Sequence, residues 1–371
     1  MRKLPENVRR TLEKIVKDMT LREDVQGLGL FGSWSRGDAE ASSDIDLLVV
    51  SRGNMKDEYM ERIVINDSFL DLDFIPLQWI HGPIPVEIDQ KLHEAQILYD
   101  RDWALANAKL LMAKFYSSPE RVDMRAQSHI IDSDIYLSRA TSAFSKGDFR
   151  SAMLFAKAAL KKALKILMEI TLEPFSNSRF LEKIEVATKK LGMPHLFDEY
   201  LEIAKLKRLD GGFVEEKIEL FKTVWDEMSF IVRQKPKTLE RAHFRVKAKL
   251  KYYFSPAFPQ GIVLRAKSLI ECKRFAEAVH YIHNTFLPIA ENYALLKALE
   301  KREKIDHTCL IGALESLEKN NLRIHQNTLK LLSLTEIDRE ETAKAIKKVR
   351  ETARKIRLGK KLLIRNYISK S

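Results

Sequence analysis

The chain has 371 residues, of which 45% are hydrophobic and 31% charged, so it can bury two or three cores. Gly and Pro number only 13 and 11, which favours a mostly helical protein with few tight turns. No apolar run approaches the ~18 residues that a membrane span needs, and the N-terminus MRKLPENVRR lacks an apolar signal core. These features argue against a membrane protein and predict a cytoplasmic one.

The net charge of +12 is unevenly distributed along the chain. Residues 1–105 contain 13 Lys and Arg against 20 Asp and Glu, whereas residues 106–371 contain 51 against 32. A basic region of this size fits a polyanionic partner such as RNA or DNA. A Lys-rich, solvated surface on long helices explains the same composition.

Hydrophobic periodicity predicts a mixed N-terminal region followed by helices. In chain order it indicates a helix over 5–19, a strand over 28–31, a strand over 44–50, a helix or a loop with a helical turn over 54–65, a strand over 68–76, a helix over 86–95 and a strand over 96–100. From Trp103 onward, helical patterns replace strand patterns. The expected fold is an α+β domain with a small mixed sheet, followed by all-α helical bundles.

Two pairs of aspartates lie on predicted strands. Asp44 and Asp46 open one strand, and Asp71 and Asp73 lie within the strand that follows. Side chains two apart on a strand share a face and lie about 6–7 Å apart along it. Two like charges on one face repel unless a cation neutralises them. The Asp44–Asp46 pair therefore predicts a site for a hard, oxygen-preferring ion such as Mg²⁺.

The turn before Asp44 contains groups that suit a phosphate. Gly32 allows close approach of the backbone, Ser33 offers a hydroxyl and an N–H, and Arg36 offers a cationic fork. With Ser35 they form the candidate nucleotide-binding set. A phosphate cradle facing two carboxylates suits in-line attack on a nucleotide's α-phosphate. The competing interpretation is a helix-capping serine beside two solvated aspartates at a strand edge.

Gly32-Ser33, ten intervening residues and Asp44-Ile45-Asp46-Leu47 resemble the motif of the DNA polymerase beta-like nucleotidyltransferase superfamily, in its minimal and kanamycin-type branch. The resemblance implies a metal-dependent enzyme that moves an NMP, above all AMP, from an NTP to an acceptor hydroxyl and releases pyrophosphate. ATP would be the substrate, with Mg²⁺ or Mn²⁺ bound. The family uses a third carboxylate on a neighbouring strand. Asp71 and Asp73 both qualify, so Asp44, Asp46, Asp71 and Asp73 are the candidate catalytic and metal-binding residues.

The helical region adds two further resemblances. Residues 136–170 predict two antiparallel helices joined at Lys146-Gly147-Asp148, and this hairpin resembles a HEPN domain, a helical bundle often fused to minimal nucleotidyltransferases. Arg265 to Phe275 repeats the spacing of Arg139 to Phe149, which indicates a second, diverged bundle. The expected domains are 1–105, catalytic; 106–235, HEPN-like; and 236–371, a second bundle with a basic tail.

Several helical residues allow more than one interpretation. Asp132 and Asp134 lie where kanamycin-type enzymes carry a base, but acids at a helix start explain them as well. His280 and His283 fit packing or surface positions better than a metal pair. The tail over 357–365 either contacts phosphates or is a disordered, solubilising segment.

Two classes of function remain open, nucleotide transfer to an acceptor and binding with little or no turnover. The acceptor could be a small molecule, a protein or an RNA that the basic bundles hold. The alternative is a toxin–antitoxin-like regulatory protein that binds RNA or a partner with little or no turnover. Kanamycin-type relatives can build their site across a homodimer.

Overall fold

The computed structural model describes residues 4–319 and 321–368. The chain divides into two compact units, which are described separately here. The first comprises Met1–Arg121 and Ala248–Arg265, and the second comprises Val122–Lys247 and Ala266–Ser371. The sequence did not predict that residues 248–265 join the N-terminal unit. The three domains expected from the sequence stay a prediction, and residues 1–3, 320 and 369–371 of those ranges lie outside the described residues.

A mixed sheet forms the centre of the first unit, as the sequence predicted, and it has five strands, one more than expected. Its strands are β1 Val25–Phe31, β2 Ile45–Ser51, β3 Tyr59–Ile65, β4 Ser68–Pro76 and β5 Gln96–Asp100. Their order is β3-β4-β2-β1-β5, and β2 pairs with β4 in parallel while the other pairs are antiparallel. The helices of this part of the chain are α1 Glu6–Thr20, α2 Gly32–Arg36, α3 Gln78–His81, α4 Asp89–Glu94 and α5 Ala104–Phe115.

The two faces of the sheet have different roles. Alternate residues of β1, β2 and β4 form one apolar core with the apolar stripe of α1, in which Leu12 and Leu47 are buried. On the other face, a Cβ built on Gly27 would lie 3.2 Å from Leu105 Cβ, so α5 approaches the strand closely there. Because side chains alternate along a strand, Asp46, Asp71 and Asp73 lie on the face opposite α1.

The helix or loop expected over 54–65 is wrong, because residues 59–65 form strand β3. Asn66 and Asp67 both adopt positive φ, at 50° and 59°, and form the two-residue turn of a β3–β4 hairpin. Asn and Asp tolerate this backbone region better than most residues. The tight turn therefore allows residues 59–65, whose hydrophobic periodicity is weak, to pair with β4 as a strand.

Helices make up the second unit and the segment that returns to the first. They are α6 Pro119–Ser145, α7 Phe149–Thr171, α8 Phe180–Lys190, α9 His195–Ile203, α10 Gly211–Arg233, α11 Pro236–Arg241, α12 Phe244–Tyr253, α13 Ala257–Glu271, α14 Phe275–Lys301, α15 Leu310–Leu317, α16 Leu322–Leu331 and α17 Arg339–Ile368. None of the helices in the described part of the chain combines the length and apolar character needed to cross a bilayer.

The predicted α6–α7 hairpin is confirmed. Gly147 has a φ of +81°, and the Asp148 side chain accepts a hydrogen bond from the backbone N–H of Ser151 at the start of α7. The α13–α14 turn falls at the equivalent place, while the repeat itself stays a hypothesis. Residues 357–365 lie inside α17, so the disordered interpretation of this segment is wrong.

Replacing Leu47 tests the core of the first unit. Leu47 is fully buried between the sheet and α1, so Leu47→Ala should lower the free energy of unfolding by about 2–5 kcal/mol in urea titrations. Val64, on β3, is 45% exposed, and Val64→Ala should cost less than about 1 kcal/mol. Equal losses in the two variants would contradict this assignment of the core.

Candidate active site

The Gly32 turn brings the backbone of α2 against Asp46. β1 ends at Phe31, which is paired with Asp46 on β2, and the chain then enters α2 at Gly32 with a φ of +72°. A Cβ built on Gly32 would lie 2.2 Å from Asp46 Oδ2. The positive φ and the lack of room for a Cβ therefore both require glycine at this position.

Three of the four candidate aspartates interact with one another. The parallel register pairs Asp46 with Asp71, and Asp44 lies one residue before β2. Burial raises the pKa of Asp46 well above its usual value, and the charges of Asp71 and Asp44 raise it further. Burial also raises the pKa of Asp44, although Arg62 opposes the shift. The structure thus brings together the mutually repelling carboxylates of Asp44, Asp46 and Asp71.

Asp73 has a different environment. It is paired with Leu48 and forms an ion pair with Lys91, which also contacts Glu58 at 2.9 Å. Burial raises the pKa of Asp73 to about 6, and the charge of Lys91 lowers it in part. Between the two alternatives that the sequence left open, Asp71 is the one beside Asp44 and Asp46.

Arg62, which the sequence interpretation missed, joins two of the carboxylates. Its Nε and Nη2 donate to Asp71 Oδ1 and Oδ2 at 2.7 and 2.5 Å, and Nη2 also donates to Asp44 Oδ2 at 2.8 Å. Its side chain is only 3% exposed. Burial acts to lower the pKa of Arg62, but the hydrogen bonds and charge of Asp71 raise it, so the guanidinium stays protonated.

The returning segment of the first unit covers Arg62. Its guanidinium carbon lies 5.8 Å from the ring centroid of Tyr252 and 5.4 Å from that of Phe258. Tyr252 also donates its hydroxyl to Asp71 Oδ2 at 3.2 Å. A Cβ built on Gly261 would lie 2.5 Å from Arg62 Nη1, so a bare backbone is needed there. Residues 248–265 therefore enclose the charge cluster.

Glu94 is a second residue that the sequence interpretation missed. Its Oε2 accepts from the backbone N–H of Gly32 at 3.1 Å and from Arg36 Nη1 at 2.7 Å. Burial raises the pKa of Glu94, and Arg36 opposes the shift. Ser35 donates its hydroxyl to the backbone carbonyl of Glu94 at 2.5 Å. Gly32 and Arg36, two of the four residues expected to receive a phosphate, thus contact the Glu94 carboxylate.

The fit of a metal ion depends on Arg62. Among residues 4–319 and 321–368, no group of three or more His, Cys, Asp or Glu side chains is arranged to hold an ion. The oxygen donors of Asp44, Asp46 and Asp71 suit Mg²⁺ in their chemistry, and their repulsion would be relieved by a cation. Arg62 already neutralises two of them, so an ion must share or displace it.

The acids and histidines singled out in the second unit have other partners. Asp132 accepts from Lys162 at 2.6 Å, and Asp134 forms an ion pair with Arg357. His280 is 3% exposed and is hydrogen-bonded to the hydroxyl of Tyr200, which agrees with the packing role expected for it. The role of Asp132 or Asp134 as a base stays a prediction.

The Gly32 turn yields a stability prediction. Gly32→Ala should lower the free energy of unfolding by about 1–3 kcal/mol, because the φ of +72° is strained for alanine and the Cβ meets Asp46. Gly82→Ala is the matched control, since its Cβ would have no neighbour nearer than 3.8 Å. Indistinguishable urea midpoints for the two variants would show that the close approach to Asp46 is incorrect.

Comparisons with known proteins find a similarity in the N-terminal part of the chain. Residues 9–98 match the family model described as a nucleotidyltransferase domain. Among solved structures, a nucleotidyltransferase-like protein from Exiguobacterium sibiricum is similar at 13% identity and a TM-score of 0.33, over 72% of this chain and 80% of that chain. No curated protein matches the chain. The similarity to a nucleotidyltransferase domain thus lies within the first unit.

Proposed function

We propose that the protein transfers an NMP, in the first instance AMP, from an NTP to an acceptor hydroxyl and releases pyrophosphate. The observation that carries the proposal is the cluster of Asp44, Asp46 and Asp71 beside the Gly32 turn. It lies within the residues that match a nucleotidyltransferase domain. The acceptor belongs to a small molecule, a protein or an RNA.

In the proposed reaction, Asp44, Asp46 and Asp71 would hold a divalent ion, Mg²⁺ or Mn²⁺, and Ser33 and Arg36 would bind the phosphates. When bound, the ion supplies positive charge to the triphosphate and lowers the pKa of the acceptor hydroxyl. The hydroxyl oxygen forms a bond to the α-phosphorus as the bond to the bridging oxygen breaks. The electron pair leaves with pyrophosphate, and the hydroxyl proton passes to a base.

Productive binding requires two internal contacts to open. Glu94 must release Arg36 and the Gly32 N–H before a phosphate can use them. Arg62 must release Asp44 or Asp71 before all three carboxylates can reach an ion. The same contacts favour a second candidate function, in which the charges stay internally satisfied and the protein binds RNA or a partner with little turnover.

A labelling assay tests the transfer. Purified protein is incubated with α-³²P-labelled ATP, Mg²⁺ and cell extract, and label transfer to any acceptor is followed. Asp46→Asn should lower transfer by about 100-fold or more, because a metal-binding carboxylate is lost. Asp18→Asn, an exposed change on α1, should keep full activity. Transfer that survives in Asp46→Asn, with the fold intact, would overturn the proposal.

Competition between Arg62 and the metal can be measured without turnover. Arg62→Gln should bind Mn²⁺ about tenfold or more tightly than the wild type in titration calorimetry. The substitution removes the cation that neutralises the buried carboxylates of Asp71 and Asp44, so Mn²⁺ can take its place. It should also unfold at a lower temperature, and Mn²⁺ should restore part of the loss. Arg22→Gln removes an exposed ion pair with Asp24 and serves as control. Unchanged Mn²⁺ affinity in Arg62→Gln would exclude competition.

A further inference from the structure

Helix α7, in the second unit, carries three lysines along one side. Lys157, Lys161 and Lys165 are four residues apart, so successive side chains leave the helix about 6 Å apart along its axis. The term "lysine row" is used below for these three residues. Sixteen of the 23 residues of α7 are buried, and the lysine row itself is half-buried. A row of cations in such a setting needs compensating charge.

Lys157 has no such compensation. Its Nζ is buried without a hydrogen-bond partner. The nearby charges of Lys205 and Lys217 repel it, and the one carboxylate that attracts it, Glu341, is paired with Lys205 at 2.8 Å. Lys217 in turn donates to the backbone carbonyl of Lys330. This end of the row therefore carries excess positive charge.

The other two lysines have only partial compensation. Lys161 donates to Asn284 Oδ1, which is neutral, and its charged neighbours are cations. Lys165 lies 4.5 Å from the ring centroid of Phe175 and near two carboxylates. Both of those carboxylates have other cations as partners: Asp132 pairs with Lys162 and Glu169 with Arg125.

Two histidines of α14 lie near the row and also have unused ring nitrogens. His283 bonds the backbone carbonyl of Leu331 and lies near Lys157, but its Nε2 has no partner. His280 lies near Lys161, and its Nδ1 has no partner. Buried polar atoms in folded proteins are nearly always hydrogen-bonded, so these atoms are available to water or, where they carry a proton, to an anion.

The electrostatic balance agrees with the contacts. Burial lowers the pKa of Lys157 and of Lys165 to about 8, and that of Lys161 well below its usual value. Near pH 7 the protonated lysines destabilise the fold unless an anion neutralises them.

We infer that the lysine row is a binding site for a small phosphate-class polyanion, such as pyrophosphate, tripolyphosphate or the phosphates of a nucleotide. Successive cations about 6 Å apart suit a ligand with more than one anionic group. Because most residues of α7 are buried and the row is only partly exposed, a small anion fits better than a nucleic acid strand. The inference is independent of the proposed transfer reaction, because it uses residues of the second unit alone.

Calorimetric titration of the full chain at pH 7 in EDTA, with phosphate, pyrophosphate, tripolyphosphate, ATP and a single-stranded RNA, tests the site. Sodium chloride at equal ionic strength is the reference. We expect saturable binding of at least one polyphosphate, weakened about tenfold or more in Lys157→Met and Lys161→Met through loss of a charge-assisted hydrogen bond. Lys344→Met, at a 75% exposed side chain, is the matched control and should bind like the wild type.

Thermal unfolding supplies a second measurement, in which the same substitution should stabilise the protein while it weakens polyphosphate binding. Without polyphosphate, Lys157→Met should unfold at a higher temperature than the wild type, because an unpaired buried ammonium is gone. Saturating tripolyphosphate should cancel or reverse that difference at pH 7. At pH 9.5, above the lowered pKa of Lys157, both the difference and the polyphosphate effect should shrink.

Four outcomes would overturn the inference. They are no saturable binding of any of these anions, equal weakening in Lys344→Met, binding only of a single-stranded RNA, and loss of binding in Asp46→Asn. The last would assign the anion to the first unit instead. Asp46→Asn should keep polyphosphate binding even where it abolishes nucleotide transfer, so failure of this inference and failure of the proposed function are distinguishable.

Discussion

The bond between Arg62 and Asp71 is the interaction on which the candidate site depends. Three carboxylates on one sheet face would repel one another in a largely buried setting, and the guanidinium neutralises two of them at hydrogen-bond distance. Tyr252 and Phe258 exclude solvent from the same group. The site is therefore stable in the absence of an external cation.

Glu94 supplies the opposite charge for the neighbouring Gly32 turn. The two internal ions have complementary roles: Arg62 takes the position of a cation among the aspartates, and Glu94 takes that of an anion against Arg36 and the Gly32 N–H. In the proposed reaction, a magnesium nucleotide would carry both kinds of charge and would replace both contacts together. The lysine row has only partial internal compensation, which sets it apart from the first site.

Much of the first unit could be predicted because its signals are local. The Gly32-Ser33 break, the Asp44–Asp46 spacing and the alternation over 68–76 each depend on neighbours in sequence. The β3 strand was missed, although Asn66-Asp67 is a turn signal between two strands. A two-residue turn there fixes the register that pairs Arg62 with Asp71. The contacts of Glu94, Tyr252 and Gly261 join distant parts of the chain, and no local pattern in one sequence indicates them.

The discontinuous first unit has a consequence for biosynthesis. Residues 1–121 leave the ribosome long before 248–265, and the intervening chain belongs to the other unit. Until Tyr252 and Phe258 have been made, the Arg62–Asp71 pair has no aromatic cover. The nascent sheet can pair its strands early, but its charged face is completed only after residues 248–265 have been made, so the order of synthesis delays the closed form of the site.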